Sequence, residues 1–141
     1  MEPNAHIHPK PEAGKAFFQQ YQDKGKVVML NLLKFREIAD YSRSPELTPE
    51  KEISGKEAYD RYAQHVFPLL QKAGGKVLFY GNSGDFLIGP ESEKWDTVIL
   101  VEHESAVKFV AFSQDEAYLE IAGHRTAALA DSRLLPIVQR T

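Results

Sequence analysis

The sequence predicts an α+β fold, an antiparallel four-stranded sheet in ferredoxin-like βαββαβ order with an extra N-terminal helix in front. Three observations carry that expectation. Short runs rich in Val, Leu and Ile at Lys26 to Phe35, Lys76 to Gly81, Trp95 to Glu102 and Leu134 to Val138 read as strands. Two longer segments, opened by Ser54 and by Ser113, repeat their apolar residues at spacings of three and four and read as crossover helices. The first and third strands are the most uniformly apolar, whereas the second and fourth carry the Gly81 and Pro136 that sheet edges tolerate.

Taken in order, Ala13, Ala16, Phe17, Gln20 and Tyr21 define one side of a weak helix over Glu12 to Gln22. Pro9 and Pro11 before it read as a flexible lead-in. The first strand follows Gly25, and a polar stretch from Glu37 to Ile53, with Pro45 and Pro49 and no lasting period, is a loop. Ser54 with Glu57 three residues on forms a capping box, and Tyr59, Tyr62, Ala63, Val66 and Leu70 share one helical face behind it. Pro68 should bend that helix near its end, and Gly74-Gly75 stop it.

After the second strand, Asn82-Ser83-Gly84-Asp85 is a turn, and Phe86 to Ile88 reads as either a hairpin arm or the end of a kinked strand. The third strand follows Gly89-Pro90, and Ser105 begins a short helix through Phe112. Ser113 and Glu116 form a second capping box for a helix to about Ala130, with Tyr118, Ile121, Ala122, Arg125 and Leu129 inward. The expected organisation is a tail and extra helix over 1–25, then one domain over 26–141 with a loop insertion at 37–53.

With 141 residues, 43% of them hydrophobic, the chain is one domain's worth of protein. It contains no cysteine, which excludes disulfide scaffolds, thiolate chemistry and iron–sulfur or cysteine–zinc sites. A net charge of -3 argues against a nucleic-acid partner, which wants a basic stripe. The longest apolar run, Val27 to Leu33, falls short of a membrane span and is interrupted by Asn31. The polar Met1 to Lys10 lacks the apolar stretch of a leader, so a cytoplasmic location is expected. No phosphate-binding glycine pattern follows a strand, and no cofactor or metal is assigned.

The first strand is apolar on both faces, with Val27, Met29, Leu33 and Phe35 on one side and Val28, Leu30 and Leu32 on the other. Helices in this order cover one face only. A second copy packed sheet to sheet, a homodimer, is the expected cover.

Five residues stand out as ligand contacts. Asn31 is polar within an apolar strand and needs a partner, either nearby backbone or a ligand. Arg125 shares its face with Tyr118, Ile121 and Leu129, so its guanidinium needs a protein carboxylate or a bound anion. Tyr59, Tyr62 and His65 lie at spacings of three along one helix, and Tyr62 and His65 could line one groove. Core aromatics are the plainer reading of the tyrosines, and His65 has no Ser or Asp partner at triad spacing. Catalytic residues therefore stay unassigned. His6 and His8 read as a solvated tail, and His124 with Glu120 as surface electrostatics.

The motif Tyr59-x-x-Tyr62-x-x-x-Val66-x-Pro68, followed by Gly74-Gly75-Lys76-Val77-Leu78 and Gly81, resembles the domain of unknown function 1330 family, as do Gly89, Trp95-Asp96, Glu102 and Phe112-Ser113-x-x-Glu116-x-Tyr118 with Arg125. That resemblance implies a dimeric α/β barrel, a ferredoxin-like homodimer, and places Tyr59, Tyr62 and Arg125 beside the sheet as pocket-lining residues. Its superfamily includes cofactor-free monooxygenases, isomerases and binding proteins, so the fold alone gives no activity. The leading expectation is a homodimeric protein binding a small anionic or aromatic metabolite between sheet and helices. The alternatives are a cofactor-independent monooxygenase or isomerase-like enzyme and a non-catalytic dimeric interaction module.

Overall fold

The computed structural model describes residues 5–140. In chain order these form α1 (Pro11–Tyr21), β1 (Val27–Phe35), a 3-10 turn (Pro45–Leu47), α2 (Gly55–Lys72), β2 (Lys76–Asn82), β3 (Thr97–His103), α3 (Ala106–Ser113), α4 (Glu116–Ala128) and β4 (Leu129–Ile137). The strands make one antiparallel sheet in the order β2-β3-β1-β4. The two most apolar strands thus hold its centre, as expected, and the fold is ferredoxin-like.

The caps explain where the helices begin and end. Ser54 Oγ accepts a 3.0 Å bond from the Glu57 amide at the start of α2. At its end Gly74, with φ of 87°, makes the left-handed turn that lets Gly74 N–H reach Gln71 O and Gly75 N–H reach Leu70 O. Pro68 is accommodated inside α2, which continues to Lys72. α4 is capped by Asp115, whose Oδ2 accepts from the Ala117 amide at 3.2 Å. Ser113, the expected cap, instead donates its hydroxyl to Val110 O and closes the last turn of α3. Asp115 wins because it stands immediately before the first helical residue.

Two sequence expectations about strands are corrected. Phe86 to Ile88 form no strand, and Leu87 and Ile88 are 99% and 92% exposed. Ser83 N–H bonds to Asp96 O, so the β2–β3 ladder is already closed below that excursion and no free strand is left for it to join. β4 starts at Leu129 instead of Leu134 and pairs with β1 back to Phe35. The polar Asp131-Ser132-Arg133 hid this part of the strand from an apolar-run criterion. α4 passes into β4 with no intervening residue.

The core lies between the sheet and the helices. Leu33, Ile99 and Leu129 are fully buried there and pack in one layer with Ala58, Tyr59, Tyr62 and Val66 of α2 and Ala127 and Ala128 of α4, and Val27 is fully buried at the start of β1. Gly55 permits this approach, since a Cβ would collide with backbone atoms of Arg36 and Ala128. The 37–53 loop is ordered against the same layer. Tyr41 and Ile53 are buried, Ala39 N–H bonds to Ile53 O and Asp40 N–H to Ala127 O.

The N-terminal lead-in is tied down too. Ile7 is buried, while His6 and His8 on either side are exposed, as expected for a tail. The first four residues of that lead-in lie outside the described residues. α1 packs on α3 through an edge-to-face contact of Phe17 with Phe109, 5.5 Å between centroids.

Among the described residues, no helix covers the other sheet face. A row of apolar side chains crosses all four strands there, Phe79, Leu100, Leu30 and Leu135 in register, and Phe79 and Leu135 are 59% and 56% exposed.

Candidate functional site

α2 and α4 bring the tyrosines and the arginine together. On α2, Tyr59 and Tyr62 lie three residues apart on the buried face. On α4, Tyr118 and Arg125 lie seven residues apart, two turns, and so share a face. Ring centroids run 5.5 Å from Phe35 to Tyr59, 5.2 Å from Tyr59 to Tyr62 and 6.3 Å from Tyr62 to Tyr118. The Tyr62 and Tyr118 hydroxyls are 3.1 Å apart and share a hydrogen bond.

Burial pushes the Tyr59 and Tyr62 phenols well above the ordinary tyrosine value, and the positive charge of Arg125 opposes the rise only in part. At neutral pH both are hydrogen-bond donors, not bases. Arg125 Nη1 donates to Ile7 O at 2.8 Å, and among the described residues no carboxylate forms an ion pair with it. Its partner is thus a neutral main-chain carbonyl, where the sequence led us to expect a protein carboxylate or a bound anion.

Asn31 belongs to the helix-facing set of β1, in register between Ile99 and Leu134. Its Nδ2 makes long bonds to Met29 O and Ile99 O, 3.3 and 3.4 Å. Among the described residues it is hydrogen-bonded to none of the tyrosines nor to Arg125. Tyr62 is buried, and His65 lies one turn further along the helix. It is exposed and stacks on the His124 ring, 5.9 Å between centroids with planes 9° apart.

His124 is itself a correction. It is buried, not a surface partner of Glu120, and its Nδ1 lies 2.8 Å from the Tyr41 hydroxyl. Burial first, then the nearby His65 and Arg61, hold its pKa below the usual histidine value. A neutral ring accepting the Tyr41 proton at Nδ1 fits that environment. The bond anchors the 37–53 loop to α4. His103, at the end of β3, is buried against Phe109 and Phe112, and burial lowers its pKa to about 4.

Sequence reasoning put Tyr118 on the inner face and missed it as a site residue, although its seven-residue spacing to Arg125 was the available signal. Ile7, Tyr41 and His124 had none. Each lies in a stretch without apolar period or pairs across the chain. Two open grooves are lined by other residues, one of about 430 Å³ beside Asp60, Phe67 and Tyr80 and one of about 620 Å³ beside Lys72, Lys108, Phe112 and Glu120. Among the described residues, no His, Asp and Glu side chains group as a metal site, and no helix is long and apolar enough to cross a membrane.

The aromatic cluster on α2 and α4 coincides with the segment that matches a known family profile. The profile described as domain of unknown function (DUF1330) matches residues 48–138. A protein of unknown function from Rhodopseudomonas palustris is 35% identical, with a TM-score of 0.86 over 98% of this chain and 99% of its own. This chain belongs to the DUF1330 family. Its fold is shared more widely. A hydroxynitrile lyase from Passiflora edulis superposes with a TM-score of 0.55 at 11% identity, covering 83% of this chain and 95% of the lyase. A protein from Bacteroides fragilis described as dimeric, of unknown function and ferredoxin-like fold, does so with 0.51 at 12% identity, covering 82% and 97%. No curated protein matches the chain.

Proposed function

We propose that this DUF1330 protein is a homodimer that binds a small aromatic or otherwise apolar anion between sheet and helices. Tyr59, Tyr62, Tyr118 and Arg125 form the site, and Asn31 borders it from the strand side. One observation carries this reading. A guanidinium set beside buried phenols has a neutral carbonyl as its partner and forms no ion pair with a carboxylate among the described residues. A charge in that position is best compensated by an anion, and a carboxylate can take two parallel bonds from arginine. The phenols supply donors and flat apolar surface, the usual make-up of a small-molecule site.

The bare sheet face supports the dimer. Its apolar row spans four strands, and the Bacteroides fragilis neighbour of the same fold is described as dimeric. Thermal unfolding with millimolar benzoate and salicylate tests the site. The wild type should gain several degrees, as mass action requires of a ligand far above its Kd, and Arg125→Ala should gain none. Equal gains in both proteins, or no gain in either, would remove the basis for the site.

A further inference from the structure

The residue that satisfies Arg125 belongs to the N-terminal segment, and that segment is held in an unusual way. Ile7 enters the buried layer that contains Tyr59 and Tyr62, while His6 and His8 stay exposed. Among the described residues, its backbone hydrogen bonds go to side chains. His6 N–H bonds to Asp131 Oδ1 at 2.9 Å, the Ser132 hydroxyl donates to His6 O, and Arg125 Nη1 donates to Ile7 O. All three partners come from the end of α4 and the start of β4. No strand pairing fixes the segment, which precedes α1 as irregular chain.

We propose that residues 5–8 are a displaceable plug in the anion site, with the Ile7 side chain and carbonyl standing where the apolar body and one oxygen of a small aromatic carboxylate would lie. The inference rests on the binding reading above and adds its regulation. A carbonyl meets the hydrogen-bonding need of Arg125 but not its charge, so a carboxylate has the stronger claim on the guanidinium. A short irregular segment with one buried side chain is the kind of element that opens locally without global unfolding. Because only the open form can take ligand, the plug weakens apparent affinity by the fraction of time the site is open. Loosening the plug should therefore tighten binding, which is the reverse of what loss of a core residue does to a ligand site.

The test uses full-length protein and salicylate, with affinity read by calorimetry and exchange of the His6 amide read by hydrogen–deuterium exchange. Ile7→Gly should bind salicylate about tenfold tighter than wild type, and Ser132→Ala, which removes one tether and leaves the core intact, a few-fold tighter. Saturating salicylate should speed exchange of the wild-type His6 amide, because its Asp131 bond is released. Unchanged affinity in both variants overturns the plug while leaving the anion site standing, as does salicylate bound with the His6 amide still protected. Absence of salicylate binding in wild type and in both variants overturns the site and the plug together. If Ile7→Gly does not fold, Ser132→Ala and the exchange measurement decide.

Discussion

The two faces of the sheet are built from alternate residues of the same strands, yet only one is finished by this chain. On the helix side, Val27, Met29 and Leu33 of β1 are at most 3% exposed. On the other side, Leu30 sits among Leu100, Leu135 and Phe79, and no element among the described residues lies over them. A strand facing water would alternate apolar with polar residues, and β1 does not. Burying large side chains of that row would contribute about 1.5 to 3 kcal/mol each. The covered face therefore stabilises the chain, and the apolar area of the bare row is left without that contribution.

The comparison can be broken most forcefully by charge. Leu135→Asp puts a carboxylate in the bare row, where a sheet-to-sheet dimer would have to bury it at a cost of several kcal/mol. The variant should fold and run as a monomer in light scattering, and wild type as a dimer. A dimeric variant would show that the row is not the interface. Leu33→Ala attacks the covered face and should cost about 2–5 kcal/mol in urea denaturation, as a buried leucine cavity does. Leu135→Ala, measured in protomers already monomeric, should cost about 0.5 kcal/mol or less. Similar losses at the two positions would erase the distinction between the faces.

Acid should weaken the covered side through His103. The unfolded chain takes up its proton as pH falls through 6.5, whereas the buried ring does so only near pH 4. Stability from this group is complete above pH 6.5 and is lost as pH falls towards 4, by about 3 kcal/mol for the full shift. His124, also lowered, adds in the same direction. His103→Leu should flatten the unfolding profile between those limits, and an unchanged slope would assign it to other groups. A further variant, Tyr41→Phe, removes the bond to His124 Nδ1. It should cost about 1 kcal/mol in thermal unfolding and loosen the 37–53 loop in hydrogen exchange.

Period and caps made much of this fold legible. Ser54, Glu57 and Gly74 mark α2 to within a residue, and the doubly apolar β1 marks the sheet's centre and its bare face. Polar strands were not legible. Asp131 and Ser132 hold the N-terminal segment instead of a core, so the first half of β4 lacks an apolar signature. Phe86 to Ile88 misled for the opposite reason, being apolar while Leu87 and Ile88 stay almost fully exposed. The burial of Tyr59 and Tyr62 was readable because helical spacing gathers residues of one face of α2. The partner of Arg125 is a carbonyl 118 positions away, and nothing in a local pattern reports a contact of that reach.

The direct passage from α4 into β4 also limits how this chain can change length. Ala128 is the last helical residue and Leu129 the first of the strand, so there is no slack between Arg125 and Ser132. One inserted residue would turn the helical side by about 100° or flip the strand to its other face, and the two grips on the N-terminal segment would no longer meet it. The exposed connections at 22–26 and 84–92 can absorb insertions. Related chains should therefore differ in length at those connections and keep the seven-residue step from arginine to serine unbroken.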